Sequence, residues 1–295
     1  MRPKPGYVAS RYQPMRRFFF LAPLLLLAAC ATPESSPETT KASVAAPRSA
    51  AGPGATQLVA VAEREWQDWG RIAVEGWPVA LERTPDATPA LFDKLMSYWS
   101  ATPEGPDVIA AHLHFRDTIM VPEVSTASLD PVSGLPFQVE PANVAISTYN
   151  HPAWSAAFIS YAMNAAGIPR TDFDPSASHA LYLDRLLENA MLNPESAAFL
   201  PHGLMDYAPR PGDLVCADRS TDPLPDWQSR LAEPGRFRPM HCDIVVRAGR
   251  GSVDLIGGNV LDVVLRRRVP TDAQGHVLPP PPERPPFFVV FENRR

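Results

Sequence analysis

Apolar positions along the chain recur first at helical spacing and later at strand spacing. In "QLVAVAEREWQDWG", Leu58, Val61, Ala62, Glu65, Trp66 and Trp69 fall near three or four residues apart and Gly70 can end the run, which predicts a helix over 57–69. "PALFDKLMSYWS" predicts a second helix over 89–100. Residues 101–150 are rich in Pro, Ser and Asp, and within them "AHLHFRDTIMV" reads as a strand with His112 and His114 on one face. A further helix is expected over about 152–166, with Pro152 in the first turn, Asn150 or His151 as cap, and Gly167 and Pro169 as its stop. Another falls within 176–192. The C-terminal third then reads as strands at 212–216, 241–247, 252–257, 261–269 and 287–292. Helices first and consecutive antiparallel strands afterwards make an α+β arrangement.

The strand pair around "RAGRGS" bears on chemistry. With the turn centred on Arg250, antiparallel partners have numbers summing to 500, which sets His241 opposite Asn259. Directly opposite Cβ atoms lie about 5 Å apart, the reach of a histidine-to-amide hydrogen bond. Asp243 shares the face of His241 and is a second candidate to orient it.

Composition alters the picture mainly at the N-terminus. Residues 1–29 carry five basic residues and no acid, then the apolar run "FFFLAPLLLLAA" and Cys30, the pattern of a targeting segment. Met15 offers a second possible start. "LAAC" at 27–30 resembles the lipobox of bacterial lipoproteins, which implies cleavage before Cys30 and lipid on that residue; Ala31 after it suits outer-membrane sorting by the same resemblance. Residues 31–56 have almost no large apolar side chains and read as a tether spanning roughly 30 Å if flexible. Without residues 1–29 the chain keeps 22 basic against 32 acidic residues, a formal charge of −10. That acidity argues against a nucleic-acid partner, because such binding needs Lys and Arg to neutralise phosphates. Proline, at 35 of 295 residues, is more than twice its usual share of about 5%, so long irregular connections are expected.

Candidate chemistry gathers on three residues. Ser155 in "HPAWSAAFIS" stands at the front of a predicted helix, where free N–H groups can receive an oxyanion. A nucleophile needs a base, and a base needs a third group to fix its ring; His241 and Asn259 suit those roles. The bland reading of Ser155 is a helix cap or a small packing residue. Trp154 and His179 are candidates to line the cleft, with a surface or core histidine the alternative for His179. Asp213 in "PGD" suits a turn or strand start. His112 and His114 lack a third ligand, so no metal is expected. Trp66 and Trp69 suit core packing better than sugar stacking.

"WSAAFISYAMNAAGI", "PRPGDLVC", "HCDIVV" and "IGGNV", in that order over roughly residues 150–269, resemble the CHAP-type and NlpC-type papain-like amidases and peptidases of bacterial cell walls. More narrowly, the chain resembles the bacterial family called domain of unknown function 2272. The resemblance implies a papain-like fold, helices packed on an antiparallel sheet, over 141–295, with a helical and loop part over 57–140. It places the catalytic roles on Ser155, His241 and Asn259, with serine standing where the cell-wall enzymes have cysteine. It also makes neighbours of the strands ending at Cys216 and Cys242, for which a disulfide and a reduced buried pair are both open. Two functions follow: a lipid-anchored, periplasm-facing peptidoglycan amidase or endopeptidase needing no cofactor, or a non-catalytic peptidoglycan-binding module on the same fold.

Overall fold

A computed structural model describes residues 52–81, 83–120 and 144–295. The expected signal segment, Cys30 and the tether up to residue 51 lie outside the described residues.

The described chain begins in helix α1, Pro53–Asp68, four residues earlier than the apolar pattern predicts. Pro53 suits the first helical turn, and the Ala55 N–H donates to the carbonyl of Arg295 at 2.8 Å, tying the helix start to the chain end. The stretch 53–56 is therefore helix and not tether. After the short strand β1 (Ala73–Glu75) come α2 (Pro89–Ser100), capped by Thr88, and α3 (Gly105–Met120). Helix α3 replaces the strand expected around His112 and His114. Val108, Ile109, His112 and Leu113 recur at helical spacing and pack on the core, which overrides the two-residue alternation. On a helix two residues apart, the two histidines point to different sides and cannot share a metal. His112 is buried against Tyr149, and His114 is exposed.

Helices α4 (Ser155–Ala165) and α5 (His179–Leu192) precede β2 (Phe199–His202), β3 (Leu214–Asp218), the single turn α6 (Trp227–Arg230), β4 (Met240–Gly249), β5 (Ser252–Val260), β6 (Val263–Pro270) and β7 (Phe287–Asn293). The strands form one sheet in the order β1-β6-β5-β4-β3-β7-β2. The fold is α+β, but the sheet is mixed: β1 runs parallel to β6, and the other neighbours are antiparallel. Strands β1 and β2 are too short for the periodicity to mark.

The sheet is buried on both faces. Leu214, Cys216, Cys242, Ile244 and Ile256 face the helices, while Val215, Ala217, Val245 and Leu255 face a smaller core closed by Trp77, Leu204 and Tyr207. That explains the unbroken apolar runs in "DLVC" and "DIVV". On the helix side, Trp69 and Tyr98 both stack on Trp154, at 5.2 and 5.7 Å between ring centroids. Buried Glu65 holds this cluster by accepting from Tyr98 Oη (2.6 Å), Tyr161 Oη (3.2 Å) and Lys94 Nζ (2.9 Å). Trp69 is thus core, whereas Trp66 is half-buried beneath the Arg266 guanidinium.

Candidate active site

The start of α4 is set by its surroundings more than by a cap. Pro152 lies three residues outside the helix, neither Asn150 nor His151 caps it, and Trp154 occupies the cap position without a side-chain bond. Asn150 instead donates to Asp262 Oδ1 at 3.1 Å, joining the approach to α4 to the β5–β6 turn. The first helical bond runs from Phe158 N to Trp154 O, so the N–H groups of Ser155, Ala156 and Ala157 have no partner inside the helix.

Alanines 156 and 157 let α4 lie close to the sheet, and Gly258 completes the fit: a Cβ there would stand 2.5 Å from the Cβ of Phe158. Gly257 faces the other way. A Cβ on it would lie 2.0 Å from Asp243 Oδ1 and 2.8 Å from His241 Nε2. The "GG" pair is therefore required by close approach on both sheet faces, which gives it a physical reason beyond turn formation.

Ser155 Oγ lies 2.7 Å from Nε2 of His179, the first residue of α5. With the ring protonated on Nδ1, that nitrogen donates to Tyr182 Oη at 2.5 Å and Nε2 is left to accept the serine proton. Burial pushes the His179 imidazole well below its ordinary value; the nearby His241 and Arg219 add to the shift and Asp243 opposes it. The ring is neutral at neutral pH, with one nitrogen a donor and the other an acceptor. Tyr182 is held protonated, first by burial and then by Asp243.

His241, near the start of β4, belongs to a second set. Its Nε2 lies 3.0 Å from Asp243 Oδ1, and Arg267 donates to the other oxygen of the same carboxylate. Asp243 has no exposed surface, and although burial alone would raise it, Arg267 and His241 hold the carboxyl far below the usual range. The imidazoles of His179 and His241 stand 5.5 Å apart between centroids. The two sets thus adjoin, but among the described residues Ser155 is hydrogen-bonded to His179 and not to His241.

Among the described residues Asn259 makes no hydrogen bond to His241. The hairpin turn sits at Arg250–Gly251, so Gly249 pairs with Ser252, one number away from the expected register. A bulge between Val245 and Arg247 then restores the sum of 500 at Val245 with Leu255 and Ile244 with Ile256. The same sum brings Gly257 to Asp243. Beyond it the β5–β6 register shifts, and Asn259 takes a left-handed backbone (φ 54°) followed by Leu261 and Asp262 at 54° and 66°. That turn removes Asn259 from the ladder with β4; its Oδ1 is buried without a partner among the described residues.

A cavity of about 230 Å³ opens at this end of the sheet. His241, Asn259 and Arg267 line it, with Trp77 from the connection after β1, Arg219 after β3, and Arg284 from the proline-rich segment. Ser155, His179 and Trp154 are not on its wall. Trp154, expected in the cleft, is buried in the core instead. Asp213 accepts from the N–H groups of Arg210 (2.7 Å) and Asn293 (2.8 Å), a structural role that fixes the start of β3. Cys216 and Cys242 face one another across β3 and β4 and are joined as a disulfide. Among the described residues no group of three His, Cys, Asp or Glu is placed to hold a metal.

Two participants were readable but missed. The spacing "HALY" puts Tyr182 on the same helix face as His179. Arg267 pairs with Leu255, and Leu255 with Val245, which places it on the face of Asp243. A search of curated proteins and a search of solved structures found no match to the chain. The profile of the family described as "Uncharacterized protein conserved in bacteria (DUF2272)" matches residues 128–292, more than half of the chain and the part that holds both histidine sets, and the chain belongs to that family.

Proposed function

We propose that the protein is a cell-envelope hydrolase in which Ser155 attacks an amide carbonyl with His179 as its base. The observation that carries this reading is the 2.7 Å contact between Ser155 Oγ and His179 Nε2 at an uncapped helix start. The serine oxygen bonds to the carbonyl carbon while its proton passes to Nε2, and the N–H groups at the head of α4 receive the oxyanion. Collapse breaks the carbon–nitrogen bond, the proton leaves with the amine, and water releases the acyl group from Ser155. Tyr182, hydrogen-bonded to Nδ1, fixes the orientation of the ring. His241, fixed through Nε2 by Asp243, keeps Nδ1 without a partner among the described residues and stands on the cavity wall. Relative to the Ser155, His241 and Asn259 assignment, the base moves to His179 and the orienting groups become Tyr182 and Asp243.

The order of a serine-headed helix, a "PGD" strand, a histidine strand and a "GGN" turn supports a papain-like relationship and, with it, peptidoglycan peptides as substrate. The lipobox-like "LAAC" supports attachment through Cys30 to a membrane, with the domain facing the periplasm. A non-catalytic peptidoglycan-binding role is the second reading, favoured by the cavity reaching His241 but not Ser155. Digestion of purified peptidoglycan separates the two: wild type releases new amino termini, and folded Ser155→Ala loses release by about 10³-fold or more. Polymer binding without release by either protein supports the second reading. Loss of membrane fractionation in Cys30→Ser tests the anchor.

A further inference from the structure

The cavity beside His241 has an unusual charge pattern. Arg219, Arg267 and Arg284 line it, and none of its lining residues is acidic, although the chain holds 32 acids against 27 Lys and Arg. Arg219 and Arg284 use only their backbone N–H groups, on the carbonyls of Pro239 and Pro281, and their guanidinium groups have no partner among the described residues. Arg267 is 8% exposed; one arm is taken by Asp243, and its Nε is buried with no partner among the described residues. The Oδ1 of Asn259, a residue on the same wall, is also buried and unpartnered among the described residues. Buried donors and acceptors are rarely left without a partner, so Arg267 Nε and Asn259 Oδ1 point to something that completes them.

What completes them has a definite chemistry. Guanidinium groups match a carboxylate through paired N–H donors, and an amide oxygen accepts an N–H. A carboxylate with an N–H close by is the last residue of a peptide, or an N-acyl amino acid. At about 230 Å³ the space is smaller than the roughly 300–1,000 Å³ of sites for drug-sized ligands, which suits an end group rather than an extended chain. Trp77, Val79 and Leu261 supply an apolar wall for its side chain. We propose that this cavity binds the C-terminal carboxylate and adjacent N–H of a peptide or N-acyl amino acid. The link from this site to turnover rests on the acyl-transfer reading; the binding itself does not.

Calorimetric titration of the full-length protein with N-acetylalanine, as each enantiomer, tests the assignment. At least one enantiomer should bind saturably. Its methyl ester, which lacks the carboxylate, should bind at least about tenfold more weakly, and Arg284→Gln or Arg219→Gln should weaken the acid by a similar factor. Both arginines are without side-chain partners among the described residues, so circular dichroism should show these variants folded. Ester or inorganic phosphate binding as tightly as the acid, variants matching wild type, or no saturable binding of either enantiomer would each overturn the proposal. Binding that persists in Ser155→Ala while wild type releases no amine keeps this site and removes the acyl-transfer reading. Ser155-dependent release with no binding of either enantiomer does the reverse.

Discussion

Gly257→Ala isolates the geometry that holds the histidine sets together. Gly257 does not adopt a positive φ, so alanine is allowed by the backbone, and with free space the substitution would stabilise by about 0.4–1 kcal/mol through the unfolded chain. Space is what it lacks. The new methyl group would stand 2.0 Å from Asp243 Oδ1, against the 3.4 Å where ordinary contact begins, and 2.8 Å from His241 Nε2. Asp243 is fully buried and fixed by His241 and Arg267, so relief requires moving it by roughly 1.4 Å, enough to break the 3.0 Å bond to His241. Overpacking costs about 1–3 kcal/mol and loss of one partner of a buried charge about 3–5 kcal/mol, so a net loss of at least about 3 kcal/mol is expected. Urea unfolding followed by tryptophan fluorescence measures it, with Gly249→Ala as control because the nearest atom to a Cβ there is 3.8 Å away. Gly257→Ala within about 0.5 kcal/mol of Gly249→Ala would refute the packing argument.

Three further outcomes follow from the same contacts. Tyr182→Phe removes the hydroxyl bonded to His179 Nδ1 and should cost about 1–3 kcal/mol in urea unfolding, while slowing amide hydrolysis by about tenfold or more; unchanged turnover would remove Tyr182 from the positioning role. The folded His179 lies below its ordinary value of 6.5, so below that pH the unfolded chain binds the extra proton and stability falls with pH, by at most about 1.4 kcal/mol per unit. Asp243 also titrates below its ordinary value, and its contribution, complete above pH 3.8, is lost as pH falls further. His179→Gln should flatten the dependence between pH 6.5 and 5, and an equal slope in both proteins would contradict the assignment. Cys216 and Cys242 should resist maleimide in denatured protein until a reductant is added; immediate labelling of both would show them unpaired.

Much of the fold was legible because its signals are local. The helix over Pro89–Ser100 matches its apolar spacing, and each predicted strand of the C-terminal third exists. What failed was nonlocal. Residues 112–114 alternate like a strand, but tertiary packing of Val108, Ile109 and His112 makes them helix. The hairpin arithmetic reached the right register only because a bulge at Val246 cancelled a turn displaced by one residue. It then failed at Asn259, where a left-handed residue ends the ladder. Ser155, His179, His241 and Asp243 were all readable as candidates; their partition into two sets was not, since it depends on where α5 docks.

The central claim is that Ser155 is a hydroxyl activated by His179. A fluorophosphonate probe, which reacts with activated serine and spares ordinary hydroxyls, tests it without knowledge of the substrate. Mass spectrometry of labelled full-length protein should find the adduct on Ser155 in wild type, with loss of labelling in folded His179→Ala and retention, at a changed rate, in folded His241→Ala. No adduct on Ser155 in wild type, or equal labelling of Ser155 with and without His179, would contradict the account.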